Sequence, residues 1–228
     1  MPKPFEEVWR ESEGFREKWN FPNAIAAIDG KHVDANYKFI VVDIGAFGKN
    51  SLRNSNLVKG LQNVTLNIPS QKYYQVVTGS DVLPHVIIGD EVFPLCLNLM
   101  QPYSREDALR NEEKKVFNYR LSRARNTVEN TFGILPRKFR IFERKMSMSQ
   151  ELIVSVVMVT CCLHNFLRND ACHWTENDLN ISISNMRRLQ DLKNIGENSK
   201  TDALAVRDRF KSYFNSAAGS VEWQLSRV

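Results

Sequence analysis

Little in this sequence invites disulfide or zinc chemistry. Cysteine occurs four times in 228 residues (Cys96, Cys161, Cys162 and Cys172), and no two form a CxxC pair. Cys172-His173 has no companion pair at zinc spacing. These absences exclude a disulfide scaffold and predict a reduced intracellular protein. Glycine and proline are sparse, at 10 and 8, which excludes a collagen-like chain. The chain has no internal repeat, and 43% hydrophobic residues exclude wholesale disorder. The opening MPKPFEEVWRESEGF holds no apolar signal segment. The most apolar stretch, Leu152 to Leu163, is too short to cross a bilayer, so no membrane partner is expected.

Charge is present, and its placement carries the information. The formal net charge is +5. Residues 120–145 hold eight basic residues and two acidic ones, Glu129 and Glu143, so this window alone carries +6. The remainder is close to neutral. One concentrated basic segment is the electrostatic footprint of a polyanion partner.

The length suits one domain with a tail. Residues 5–19 read as an amphipathic helix that stops before Pro22. NAIAAIDGKHV reads as a strand with Asp29 at its end, and YKFIVVDIG (37–45) as a second strand. The short VDAN link predicts that these two pair as an antiparallel hairpin beside the later Asp90 strand, in a sheet of three or four strands. Residues 46–80 are polar and irregular, with a short helix in SLRNSNLVKGLQN. DVLPHVIIGDEVF is a third strand, running into Gly89-Asp90, and 94–103 is loop or short helix. From Asn111 a long helix begins. Phe117, Leu121, Ala124, Val128, Phe132 and Leu135 form its buried stripe, and Pro136 ends it. KFRIFER reads as a basic strand or extended segment. Ser149 then caps an apolar helix over 151–168. Residues 169–200 read as a flexible linker, 202–214 as an amphipathic helix, and GSVEWQLSRV as a tail.

This order defines an α/β or α+β layered domain. Two of its strands end in an acid, and a third acid, Glu129, lies on the long helix. In open α/β sheets, sites collect where strands end. Against this stand plainer readings. An Asp before Gly is commonly a turn former. Glu129 stands four residues after Arg125, the spacing of an ordinary exposed helix ion pair. His164, inside the apolar helix, reads as a hydrogen-bonded core residue. His32, just after the Asp29 strand, is a weak candidate for substrate contact.

Several stretches resemble the DDE superfamily endonuclease domain of PIF/Harbinger-type transposases and the host proteins derived from them. They are WNFPNAIAAIDGKHV (19–33), DANYKFIVVDIGAFGKNS (34–51), HVIIGDEVFPLCLNLMQPY (85–103), FNYRLSRARNTVENTFGILPRKFRIF (117–142) and CCLHNFL (161–167). The resemblance implies an α/β, ribonuclease H-like mixed sheet flanked by helices. It divides the chain into a leading helix (1–20), an endonuclease-like domain (21–168), the linker (169–200) and a C-terminal helix with tail (201–228). It implies cleavage of DNA with a divalent cation, Mg or Mn, held by carboxylates. The acids of the family's "DG" and "GD" strands and its "VENTFG" helix fall on Asp29, Asp90 and Glu129. These three are the implied catalytic and metal-binding residues. A Myb-like DNA-binding partner and a nuclear location follow from the same source, with the cytoplasm as a second location.

The sequence also departs from the pattern. A stretch carrying one sheet strand is missing between KHV and DANYKF. A fourth acid expected after GAFGKNS is replaced by Leu52-Arg53-Asn54. The chain thus resembles a shortened copy. Two cations about 3.5–4 Å apart can activate water and stabilise a leaving oxygen during phosphodiester hydrolysis, and such ions take carboxylate oxygens. Asp29, Asp90 and Glu129 are of the right type. Arg120, Arg123, Arg125, Arg137, Lys138 and Arg140 would contact DNA phosphates beside them. The rival expectation is a catalytically inactive DNA- or protein-binding derivative. A third is a truncated gene product that folds poorly.

Overall fold

In a computed structural model of the chain, residues 5–29, 31–42, 83–169 and 200–227 are described. The helix expected in 46–80, the linker expected at 169–200 apart from its two end residues, and Cys172-His173 lie outside these residues. The described elements are α1 (Phe5–Trp19), β1 (Ala24–Ile28), β2 (Lys31–Val33), β3 (Phe39–Val42), β4 (Val86–Ile88), β5 (Leu99–Met100), α2 (Arg105–Leu109), α3 (Glu112–Lys138), α4 (Gln150–Asn169) and α5 (Lys200–Phe214). The five strands form one mixed sheet in the order β3-β2-β1-β4-β5. Neighbours β1–β2 and β2–β3 are antiparallel, while β1–β4 and β4–β5 are parallel. This α/β architecture is compatible with a ribonuclease H-like fold.

The strand pairing differs from the expected hairpin. Residues YKFIVV do not lie against β1. Instead Lys31–Val33 turns back on β1, with Ala27 opposite Val33 and Ile28 opposite His32. β3 then pairs with β2, Lys31 opposite Val42. The physical reason is the number of turns available. The chain reverses between β1 and β2 and again over the Asp34–Tyr37 segment, so three residues suffice for a middle strand. Asp34 builds that second turn: its Oδ1 accepts from the backbone N–H groups of Asn36 (2.7 Å) and Lys38 (2.9 Å). Among the described residues the sheet therefore has five strands rather than three or four. β5 was also unforeseen, in a segment read as loop or short helix.

Sheet burial explains why these segments are strands. Along β4, Val86 and Ile88 face the main core while Ile87 faces a smaller cluster on the opposite side, with Phe93, Cys96 and Leu99. A register shift between Ala24 and Ala26 of β1 changes which of its residues point each way. The main core lies between the sheet and helices α1, α3 and α5.

Helix α3 organises that core. Asn111 caps it, its side chain accepting from Lys114 N at 3.0 Å. Glu112 and Glu113 start it, and Arg137 and Lys138 end it, both favourable for the helix dipole. The stripe Phe117, Leu121, Ala124, Val128 and Leu135 is buried as expected, with Phe132 packed at its margin. Pro136 does not end the helix, which runs two residues further to Lys138; proline's fixed φ is compatible with a helix. KFRIFER is not extended: Arg140–Glu143 forms a 3₁₀ turn, with Phe142 N donating to Phe139 O.

Helix α4 starts after Ser149, whose Oγ accepts from Leu152 N at 3.4 Å. It is longer than its apolar stretch suggests, and Gln150–Arg168 is long and apolar enough by composition to cross a membrane. Leu152, Val159, Leu163 and Phe166 are exposed on it. On the protein side, Asn165 pairs with the backbone of Phe39, accepting from its N (2.8 Å) and donating to its O (2.7 Å). His164 meets its expectation as a core residue: Nε2 lies 2.7 Å from Tyr37 O, and the ring stands edge-on to Phe39. Burial lowers its pKa.

Helix α5 packs against α3. Phe210 and Phe214 are fully buried, and Phe214 meets the rings of Phe21 (5.0 Å between centroids) and Phe117 (6.0 Å). The C-terminal helix thus completes the main core. Phe214→Ala is expected to cost about 3–5 kcal/mol, the usual range for a buried Phe truncation. Leu109→Ala, at a side chain 75% exposed, should change stability by less than about 0.5 kcal/mol. Thermal melts of the two variants check both, and an unshifted Phe214→Ala melt would show that α5 is not part of the cooperative unit.

Candidate functional site

The three acids come to one edge of the sheet because β1 and β4 run in parallel. With Ala27 opposite Ile88, both strands end at the same level, and the residues that follow leave on the same side. Asp29 follows β1, and Asp90 lies two residues beyond β4. Gly89 N donates to Met100 O at 2.8 Å, which holds the end of β4 in the sheet. A Cβ at Gly89 would come within 3.1 Å of the Phe93 ring and 3.3 Å of Ile28, so the close approach of these side chains favours glycine. Asp90 Oδ1 accepts from Val92 N at 3.0 Å, and this turn also fixes its carboxylate. The turn-forming reading of Asp90 is met by this geometry.

Glu129 comes from α3, which packs across β1, β2 and β4. Between Glu129 and Asp29 stands Arg125. One guanidinium nitrogen, Nη2, lies 2.8 Å from Glu129 Oε1, and Nη1 lies 3.5 Å from Asp29 Oδ2. The i, i+4 ion pair read from the sequence is real. It is not an exposed pair, however: the Arg125 and Glu129 side chains are only 19% and 22% exposed. Its reach to Asp29 on another element was not foreseen, though the spacing already marked Arg125 as the residue beside Glu129.

Burial pushes the Asp29 carboxyl above its ordinary pKa. Arg125 pulls it back, while the charges of Asp90 and Glu129 push it up further. Each of the three acids is thus within electrostatic range of the same site.

The carboxylate set has the hard oxygen donors a divalent cation takes. As arranged, it does not fit one. Among the described residues, no group of three His, Cys, Asp or Glu side chains is close enough to hold a metal ion, and a guanidinium spans two of the acids.

The six basic residues divide by environment. Arg120 is 2% exposed, inside the core. Its guanidinium donates to Gly219 O (3.1 Å), Gln224 Oε1 (3.0 Å) and Asn20 O, and lies over the Phe214 ring. Burial lowers its pKa to about 10, which leaves it charged at neutral pH. Arg120 therefore ties the C-terminal segment to α1 and α3, and is not placed to meet a phosphate. The helical period contained the signal, since Arg120 stands three after Phe117 and four before Ala124, on the buried stripe. Arg123 lies over the Trp223 ring at 4.2 Å and donates to Asn20 Oδ1 at 3.4 Å. Arg125 belongs to the acids. Arg137 and Arg140 are exposed and Lys138 is half-buried; Arg140, 86% exposed, pairs only loosely with Glu143 at 3.5 Å. His32 is buried in β2, away from a substrate-contact role.

A family model described as DDE superfamily endonuclease matches residues 31–165, more than half of the chain. The chain belongs to the DDE superfamily endonuclease family. The match contains Asp90 and Glu129, and Asp29 lies two residues before its start. Neither a curated protein nor a solved structure matches the chain.

The raised pKa of Asp29 fixes a sign. The folded state binds its proton more tightly than the unfolded state, so ionised Asp29 opposes folding. Its penalty is absent below the ordinary carboxyl pKa of 3.8 and grows as pH rises through the raised folded value. Asp29→Asn is therefore expected to melt higher than wild type at pH 7, with the difference vanishing toward pH 3.8. The gain should be under about 1 kcal/mol, because the Asp29 side chain is 43% exposed and screened by solvent. Paired melts across that range check it.

Proposed function

We propose that this chain is a transposase-derived nuclease-like domain of the PIF/Harbinger type, acting on DNA phosphodiesters, with its activity impaired. The observation that carries the reading is the convergence of Asp29, Asp90 and Glu129, from two parallel strand ends and the crossing helix, at one sheet edge. The family match supports a DNA substrate. DDE endonuclease domains generally use divalent metals, here Mg or Mn. The guanidinium between Asp29 and Glu129 and the absent fourth acid after Ser51 are the grounds for impairment.

The DNA contact set is narrower than the sequence window. Arg137, Lys138 and Arg140 stay in it, and Arg120 leaves it. Arg137 stands eight residues beyond Glu129 on α3, about 12 Å along the helix axis at 1.5 Å per residue. A duplex backbone crossing the acids can therefore reach it. The nuclear location and a Myb-like DNA-binding partner are part of the same proposal, by resemblance to the family.

The second reading is a catalytically inactive DNA- or protein-binding module. Arg125 favours it, because it neutralises part of the acid cluster and leaves a surface less repellent to phosphate.

Plasmid nicking with Mg²⁺ or Mn²⁺ decides between them. Weak cation-dependent nicking by wild type, lost in Asp90→Asn, is the expected result. Equal activity in both would remove the nuclease reading. DNA binding that weakens steeply with salt, without nicking, would support the binding module. In either case Arg140→Gln should reduce the slope of log affinity against log salt by about 1, the contribution of one phosphate contact.

A further inference from the structure

We propose that the outward face of α4 is an interface between two copies of this chain, which pair there through the same helix run antiparallel. The proposal needs none of the three acids and goes beyond the nuclease reading. Helix α4 has two unlike sides. Thr160, Cys161 and His164 are buried, and His164 and Asn165 bond the backbone of Tyr37 and Phe39. The opposite side carries Leu152, Met158, Val159, Leu163 and Phe166, each between 43% and 61% exposed. No Asp, Glu, Lys or Arg occurs from 152 to 167. Depletion of charge is the compositional mark of the centre of a protein interface. The area suffices as well. Taking roughly 200 Å² as the full area of a large apolar residue, these fractions leave about 500 Å² of the five uncovered. Two copies meeting face to face would cover about 1,000 Å², the size at which an interface becomes specific.

The spacing says what fits this face. Leu152, Ser155, Val159, Cys162 and Phe166 step by three, four, three and four, the 3.5-residue period of a helix-on-helix seam. Large residues alternate along it with small ones. In a parallel pair Ser155 would face Ser155 and Cys162 would face Cys162, which leaves gaps. In an antiparallel pair with Val159 opposite Cys162 of the second copy, Ser155 falls opposite Phe166 and Met158 opposite Leu163. The small residues of the seam then meet larger ones, which lets the layers interdigitate. The contact is unchanged by a two-fold rotation, as a closed dimer requires. Ser155 Oγ already donates to Glu151 O at 3.0 Å, so it enters the seam without an orphaned donor. A lipid surface suits the face less well. Helices that lie in a bilayer interface carry Lys and Arg on their other side, and here that side is packed on β3.

The test uses the full chain. Sedimentation velocity is expected to show reversible association to twice the 26.3 kDa chain mass. Val159→Lys should weaken it at least about tenfold, equivalent to ~1.4 kcal/mol. Leu109→Lys, at an exposed apolar residue on α2, should leave it unchanged. A wild type that stays monomeric at every concentration would overturn the proposal, as would equal effects of the two variants. Should Val159→Lys fail to melt cooperatively, Phe166→Ser takes its place. Failure of both would show that the face is packed within one chain, and would also overturn the proposal. Orientation has its own readout, in a chain carrying Ser155→Cys, Phe166→Cys and Cys162→Ser. Oxidation with copper phenanthroline should join position 155 of one copy to position 166 of the other, mapped by mass spectrometry. Within one chain these positions stand about 16 Å apart along the helix, too far for a disulfide. Links of 155 to 155 or 166 to 166 would overturn the antiparallel pairing. Flotation of wild type with phosphatidylcholine vesicles, lost in Val159→Lys, would assign the face to lipid and overturn the dimer.

Discussion

The parallel pairing of β1 with β4 constrains the rest of the molecule. Parallel neighbours must be joined by a long crossover, and they end at the same edge. Here that edge receives Asp29 and Asp90, each just past its strand. The pairing is anchored outside the strands too, by Val86 N donating to Asn23 O at 2.8 Å and Asn23 Nδ2 donating to Leu83 O at 2.7 Å. Once the two strands are set, α3 can lie across them only with its apolar stripe inward. That rotation carries Glu129, one residue beyond buried Val128, to the margin where the strand ends lie.

Arginines of α3 and of the turn that follows it meet very different surroundings. Arg120 is desolvated completely and is held by two carbonyls, a glutamine and an aromatic face. Arg125 sits at the boundary and divides its donors between two acids. Arg140, past the helix end, is almost fully solvated. Guanidinium tolerates all three because it stays charged and offers several donors in fixed directions. A basic sequence window therefore overstates the basic surface. Part of its charge is spent inside the fold, where it joins elements rather than attracting a partner.

What the sequence made legible follows from which forces are local. Helices α1, α3, α4 and α5 were foreseen because amphipathic spacing and caps such as Asn111 and Ser149 are written in adjacent residues. The acids were singled out because they flank apolar runs, and it was the resemblance that set them apart from ordinary turn formers. The strand pairing was not legible. A link of four residues looked like one tight turn, but β2 needs only three residues and borrows its stability from neighbours on both sides. β5 has two residues, too few for any periodic signal. The bridge from Arg125 to Asp29 joins residues 96 positions apart, and no spacing rule encodes that contact. The inward turn of Arg120 was available in the helical period but was outweighed by its charge.

Asn165 has an effect beyond the chain itself. Among the described residues β3 is the outermost strand of its side, and an outermost strand presents donors and acceptors that a foreign peptide can zip onto. At Phe39 both of those groups are already taken, because the Asn165 amide imitates the hydrogen-bonding edge of another strand. A second molecule trying to add itself there would first have to displace that amide. Cross-molecular strand addition, one of the main routes to insoluble aggregates, meets a barrier at that point of the sheet.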